Sequence, residues 1–237
     1  MTNLNNNDSF QELDILEKFY HFIIPKFHEA HDIMVSMIDF PAENEIKIAD
    51  LGFGFGHLAQ RALTLYPSSV VLAVEKNKMI LQRGRERLNE FKERIVPVET
   101  DISTDNWDTD INEIDVLLSS FTLDFLPFEQ HQNIIKHVNS LLTPQGRWIT
   151  CEFFRSEDNQ VNRVFHDLEI QFIQRALIDG HITKEQIEIL SNSHILRKDH
   201  HVCTIDEKVS WLKQAGYQTI EVPWKFLNLA IISAVKE

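Results

Sequence analysis

The chain has 237 residues, 43% hydrophobic and 25% charged, enough to bury a substantial core, and one elaborated domain is the economical expectation. Its net charge of −13, from 36 acidic and 23 basic residues, sets up a field that repels a polyphosphate backbone and argues against an extended nucleic-acid surface. No run approaches the roughly 20 apolar residues of a membrane span. The two cysteines, Cys151 and Cys203, are too few and too far apart for a disulfide framework or a zinc cluster, which favours a reducing, cytoplasmic setting.

Met1 to Ser9 is rich in Asn and lacks the basic and apolar parts of a signal peptide, so it reads as a frayed start. From Phe10 to Phe40 apolar residues recur every three or four positions, with a break at Pro25, which predicts two helices. Ile46 to Leu51 is a short apolar run ended by glycines and reads as the first buried strand. The pattern then alternates. Helices are expected over His57 to Tyr66, Lys78 to Phe91 and Glu129 to Leu142; strands over Val70 to Val74, Ile95 to Val98, Ile114 to Ser119 and Gly146 to Glu152. Apolar strands separated by helices predict an α/β fold, a mostly parallel sheet covered on both faces. Thr143-Pro144-Gln145-Gly146 reads as a turn.

Arg155 to Leu196 carries helical periodicity around Gly180 and reads as an insertion over the C-terminal edge of the sheet. A helix from Ile205 to Ala215 follows, stopped by Gly216, and then two β-rich runs, Tyr217 to Val222 and Phe226 to Val235. Their short link through Pro223 and Trp224 predicts an antiparallel hairpin. The expected divisions are a helical cap (1–45), a core (46–154), a helical insertion (155–200) and a terminal helix and hairpin (201–237), all within a single domain.

The strongest local signal is Ile48-Ala49-Asp50-Leu51-Gly52-Phe53-Gly54-Phe55-Gly56, a strand running into a glycine turn and a helix. Glycines let a backbone turn with positive φ and approach a ligand closely. The spacing is G-x-G-x-G, unlike the G-x-G-x-x-G of pyrophosphate-binding turns, and Asp50 would repel a pyrophosphate. An acid there suits the ammonium of an amino-acid ligand. Glu75, ending the second strand, can accept from both hydroxyls of a ribose, and Asp101-Ile102, after the third, places an acceptor and an apolar residue for an adenine. Together these acids point to S-adenosylmethionine (SAM).

In this order of residues the chain resembles the class I SAM-dependent methyltransferases, and within them the small-molecule methyltransferases related to the carboxy-SAM synthase family. Ile24-Pro25-Lys26-Phe27, Phe121-Thr122-Leu123-Asp124-Phe125-Leu126, Glu152-Phe153-Phe154-Arg155-Ser156-Glu157-Asp158, Ala215-Gly216-Tyr217 and Trp224-Lys225-Phe226-Leu227-Asn228 carry the likeness through nearly the whole chain. It implies a Rossmann-like sheet with an N-terminal helical cap, a helical insertion and an antiparallel C-terminal hairpin. It also implies a SAM site formed by Phe27, Asp50, Gly52, Gly54, Gly56, Glu75, Lys76, Asp101, Ile102 and Ser120. Phe27 stands where relatives place a tyrosine beside the cofactor, and Ser120 near the cofactor's amino-acid end.

The expected activity is methyl transfer from SAM to a small-molecule metabolite. The alternative is a non-methylating use of SAM, either carboxy-SAM formation from prephenate or a cyclisation. The synthase family's carboxylate-holding arginine should fall in the second insertion helix, where this chain reads Ser191-Asn192-Ser193-His194, with Arg197 a turn later and Arg155 as another candidate. An unpaired buried carboxylate is costly, so ordinary SAM is expected. Asp124, Glu152 and His201 near strand ends are the candidate catalytic residues, Glu152 foremost, with His28, His31 and His166 available from the helical segments. Neither His28-x-x-His31-Asp32 nor Lys198-Asp199-His200-His201 has an established zinc spacing, and no metal is expected. Trp224 and Phe226 are expected to pack in the hairpin, and the apolar insertion admits a homodimer.

Overall fold

The computed structural model describes residues 6–109, 111–192 and 201–237, the side chains of 6–11 and 192 excepted. These residues fall into two compact units, one within Met1–Glu29 and Ser156–Asp199, the other within Ala30–Arg155 and His200–Glu237.

The smaller unit is helical. α1 (Asn6–Ile23) packs on α6 (Asn159–Ile178) and α7 (Lys184–Asn192), and the apolar stripe of α1, Leu13, Leu16 and Phe19, is buried. Asp158 caps α6 by accepting from the Gln160 N–H, and the rings of Phe22 and His181 stack 4.1 Å apart.

The larger unit is built on a seven-stranded sheet: β1 (Lys47–Leu51), β2 (Val70–Glu75), β3 (Ile95–Glu99), β4 (Ile114–Ser120), β5 (Leu142–Phe153), β6 (Tyr217–Phe226) and β7 (Leu229–Lys236). Their spatial order is β3-β2-β1-β4-β5-β7-β6. β1 to β5 run parallel, while β7 is antiparallel to β5 and to β6. The strand order reverses between β1 and β4, the switch point beside which open α/β sheets hold their ligands.

Alternation along the strands builds two core layers. Ala49, Leu51, Leu72, Val74, Leu117 and Trp148 belong to one; Ile48, Val71, Ala73, Val116, Leu118 and Ile149 belong to the other. The first layer is closed by α5 (Phe128–Leu141) and α8 (Ile205–Gln214), through residues such as Ile134, Val138 and Leu212. The second is closed by α3 (His57–Leu65), α4 (Lys78–Arg87) and the part of α2 (Phe27–Ser36) from Ala30 onward. Each fully buried Leu or Ile contributes about 1.5–3 kcal/mol by leaving water. The edge strands β3 and β6 contain Pro97 and Pro223, residues without an N–H to offer a further strand.

The Rossmann-like sheet and its antiparallel terminal hairpin are present, with three local differences from expectation. Pro223 and Trp224 do not form the hairpin link. They lie inside β6 beside a register shift between Glu221 and Trp224, and the turn is made by Leu227, at φ 55°, and Asn228. Thr143 to Gly146 is not a free turn but a bulged start of β5, where the register jumps between Ile114↔Leu142 and Val116↔Arg147 and Gln145 takes φ 65°. The helix expected to run to Phe91 ends at Arg87 and continues as a 3-10 segment, Asn89–Arg94.

Candidate functional site

Between β1 and α3 the backbone bends through Gly52, Gly54 and Gly56, at φ 72°, 55° and 75°. Gly52 and Phe53 donate their N–H groups to the Val74 carbonyl at 2.9 and 3.0 Å, which fastens the turn to β2. A Cβ on Gly54 would meet nothing nearer than the Gly52 carbonyl at 3.7 Å, so this glycine leaves open space where a ligand can approach. Gly84 of α4 was not singled out in the sequence. A Cβ there would lie 2.5 Å from Phe53 and 2.7 Å from the Gly54 carbonyl, so α4 is packed directly onto the turn.

Asp50 and Glu75 share one face of the sheet, because Asp50 pairs with Ala73 and Glu75 lies two residues further along β2. Glu75 accepts from the Gly54 N–H through Oε2 at 3.2 Å and from the Asn77 N–H through Oε1 at 2.9 Å. Each oxygen keeps a lone pair for a further donor. Burial raises the Glu75 carboxyl above its ordinary value, an effect moderated by those N–H groups and by the charge of exposed Lys76. Asp50 is 2% exposed and its Oδ2 has no hydrogen-bond partner. Burial, and then repulsion from Glu75, push its carboxyl up to about 8, with the Ala59 backbone opposing. A buried carboxylate oxygen without a donor is costly to maintain, and a ligand ammonium would satisfy it.

Asp101 accepts from the N–H and hydroxyl of Ser103 at 2.9 and 2.7 Å, which shapes the turn after β3, and Ile102 packs against the first core layer. Phe27 belongs to the helical unit, where it is buried and its ring lies 6.3 Å from that of Tyr20. Ser120 ends β4, and its hydroxyl lies 2.8 Å from His31 Nε2.

Glu152 is on the opposite face of the sheet from Asp50, in line with Trp148 and Thr150, and is 1% exposed. It accepts from Lys208 Nζ at 3.1 Å and from the Thr150 hydroxyl at 2.5 Å, and His131 Nε2 lies 3.6 Å away. Lys208 also donates to His131 Nε2 and stands 5.0 Å above the Trp148 ring. The network continues from Thr150 to Ser119 and the Trp148 indole N–H. Burial would raise the Glu152 carboxyl, but the Lys208 charge, helped by the Thr150 hydroxyl, outweighs it and holds the group below its ordinary value. Burial and the Lys208 charge hold His131 down at about 3, hence neutral.

Asp124 and His201 are brought together through the backbone, the His201 N–H donating to the Asp124 carbonyl at 2.7 Å, while the His201 ring meets Phe128 edge-on. Neither hydrogen-bonds to Glu152 among the contacts described. Lys208 and His131 were not anticipated. The signal was present, since each sits on the apolar stripe of its helix, with Leu212 and with Ile134 and Ile135. Arg155 is committed to Glu207 through two contacts of 2.8 Å. His28 stacks on His21 in the helical unit, and His166 is exposed. Ser193, His194, Arg197, Lys198, Asp199 and His200 lie outside the described residues, among which no group of three metal ligands occurs. No described helix is long and apolar enough to cross a membrane.

Comparison with known proteins finds relatives of the same fold. Residues 48–146 match a family model described as a methyltransferase domain. The chain is 26% identical over 228 residues to the carboxy-S-adenosyl-L-methionine synthase of Aeromonas hydrophila, covering 95% of this chain and 88% of that protein. The synthase of Photorhabdus laumondii is 26% identical over 192 residues, 80% of this chain and 73% of that one. Among solved structures, mitomycin 7-O-methyltransferase MmcR superposes with a TM-score of 0.62 at 16% identity over 90% of this chain, which spans 54% of that longer one. The YcgJ protein from Bacillus subtilis gives 0.62 at 11% identity, over 89% and 99% of the two chains. Residues 48–146 are thus similar to a methyltransferase domain, and the seven-stranded mixed sheet of the described residues has the Rossmann-like fold of these solved structures.

Proposed function

We propose that the chain binds SAM at the C-terminal edge of β1, β2 and β4 and transfers its methyl group to a small-molecule nucleophile. The observation that carries this reading is the unsatisfied Oδ2 of buried Asp50, beside an open glycine turn and on the same sheet face as Glu75. Asp50 would take the ammonium, Glu75 the ribose hydroxyls, and the turn after β3, with Asp101 and Ile102, the adenine. Bound SAM supplies an electrophilic methyl group on a sulfonium. The work left to the protein is to hold the acceptor in line with that methyl, a positioning effect, and to remove a proton where the nucleophile carries one. Asp124 and His201 remain the candidates for that step. Glu152, fully engaged with Lys208 and Thr150, is better suited to holding the end of β5.

A second reading is favoured by the likeness to carboxy-SAM synthases, which covers 95% of the chain. In it the same site would use SAM and prephenate to form carboxy-SAM.

Mass analysis of the nucleotide that co-purifies, followed by calorimetric titration with SAM, tests both. Retained or titrated ordinary SAM, with methylated product from a metabolite screen, supports methyl transfer. Carboxy-SAM in the purified protein, or its formation on adding prephenate, moves the assignment to the synthase. No uptake of either, by protein that unfolds cooperatively, overturns the SAM site.

A further inference from the structure

We propose that His31 is a positioning residue of the ligand site, which fixes the Ser120 hydroxyl so that it meets the amino-acid end of bound SAM. This rests on the SAM reading above and adds a residue to it.

α2 buries a stripe of Ala30, His31, Met34 and Val35, and His31, at 3% exposure, is its polar member. An imidazole on such a stripe costs stability unless it is hydrogen-bonded. Its Nε2 lies 2.8 Å from Ser120 Oγ, the partly exposed end of β4. In the β1–β4 register Asp50 lies opposite Leu118, so Ser120, two residues on, shares the face of Asp50. His31 therefore stands behind a hydroxyl that itself faces the switch point.

The position of that hydroxyl relative to Asp50 is fixed by the next two residues. Phe121 takes φ 53°, an uncommon backbone for a bulky side chain, and its N–H is held by the Cys151 carbonyl at 2.9 Å. Thr122 donates through Oγ1 to the Leu51 carbonyl at 3.1 Å and fills the space beside Gly52, where a Cβ would lie 2.2 Å from it. The turn carrying Ser120 is thus locked to the turn that follows Asp50. A serine hydroxyl rotates freely unless bonded, and a bond to His31 selects one orientation. An amino-acid end presents both an ammonium and a carboxylate. Asp50 complements the first; a Ser120 hydroxyl that accepts from His31 Nε2–H keeps its own proton for the carboxylate, and one that donates to Nε2 keeps lone pairs for the ammonium.

A histidine that only filled the core would affect every ligand equally, through the stability of the fold. Titration of the intact protein with S-adenosylhomocysteine and with 5′-methylthioadenosine, which has the nucleoside but no amino-acid end, separates the two roles. Ser120→Ala and His31→Leu should each weaken S-adenosylhomocysteine binding about ten-fold, as expected for one hydrogen bond. The double variant should be no weaker than either single one. His31→Gln, whose amide can reach Ser120, should return to within about two-fold of the parent. Methylthioadenosine should bind all of them alike. Additive losses, losses shared by methylthioadenosine, or unchanged S-adenosylhomocysteine binding in His31→Leu each overturn the positioning role while leaving the SAM site standing. A parent protein that takes up neither compound overturns the SAM reading and this inference with it.

Discussion

Below about pH 8 the folded chain holds on Asp50 a proton that the unfolded chain, at its ordinary 3.8, has released by neutral pH. The native state binds the extra proton between these values. The contribution of Asp50 to stability is therefore greatest below 3.8 and declines as pH rises towards 8. Asp50→Asn removes this pH-dependent cost and should raise the melting temperature at pH 8 relative to the parent, while weakening SAM binding ten-fold or more. A ligand ammonium reverses the preference by favouring the carboxylate. Calorimetry at pH 7 in buffers of different ionisation heat should show proton release approaching one per SAM bound, absent in Asp50→Asn. An equal heat in every buffer would mean that Asp50 does not meet the ammonium. In the proposed SAM site Glu75 would meet the ribose hydroxyls, so Glu75→Ala should weaken S-adenosylhomocysteine and methylthioadenosine alike.

At the scale of elements, the Glu152–Lys208–His131 network ties the end of β5 to α8 and α5. Removing one member of a buried ion pair strands the other, a loss of about 3–5 kcal/mol, whereas replacing both by apolar groups is often nearly neutral. Lys208→Met should therefore destabilise the protein strongly in urea unfolding, and Lys208→Met with Glu152→Leu should recover much of the loss. A double variant as unstable as the single would indicate that packing, and not charge, is what Lys208 supplies. Acid should act in the same direction. His131, at about 3 when folded against 6.5 when unfolded, and Glu152, held below 4.5, both bind fewer protons in the native state. Their stabilisation is lost as pH falls, beginning near 6.5 for the histidine and near 4.5 for the glutamate. Glu152 was legible as a strand-end acid, and its position invited a substrate role. Its partners were not legible, because they come from helices 21 residues before and 56 after it, and no local pattern encodes that meeting.

For the whole molecule, the central strands were readable because strands buried on both faces are nearly continuous apolar runs, and the glycine turn was readable because few residues tolerate its backbone. The bulges at Gln145 and near Pro223 were not, since the residues that form them also form turns, and only the register of a neighbouring strand decides between the two. The same architecture orders local stability. β1, β2, β4, β5 and β7 are flanked by strands on both sides, whereas β3 and β6 each have one neighbour. Amides of the inner strands should exchange with solvent near the rate of global unfolding, and those of the edge strands faster. Adding S-adenosylhomocysteine should then slow exchange in three separated segments, 52–56, 75–77 and 119–122, because a ligand held by Asp50, Glu75 and Ser120 would restrain all three turns at once. Protection limited to 75–77 would mark a nucleoside site without an amino-acid subsite. Protection of all three would require that the turns after β1, β2 and β4 form one ligand surface at the switch point.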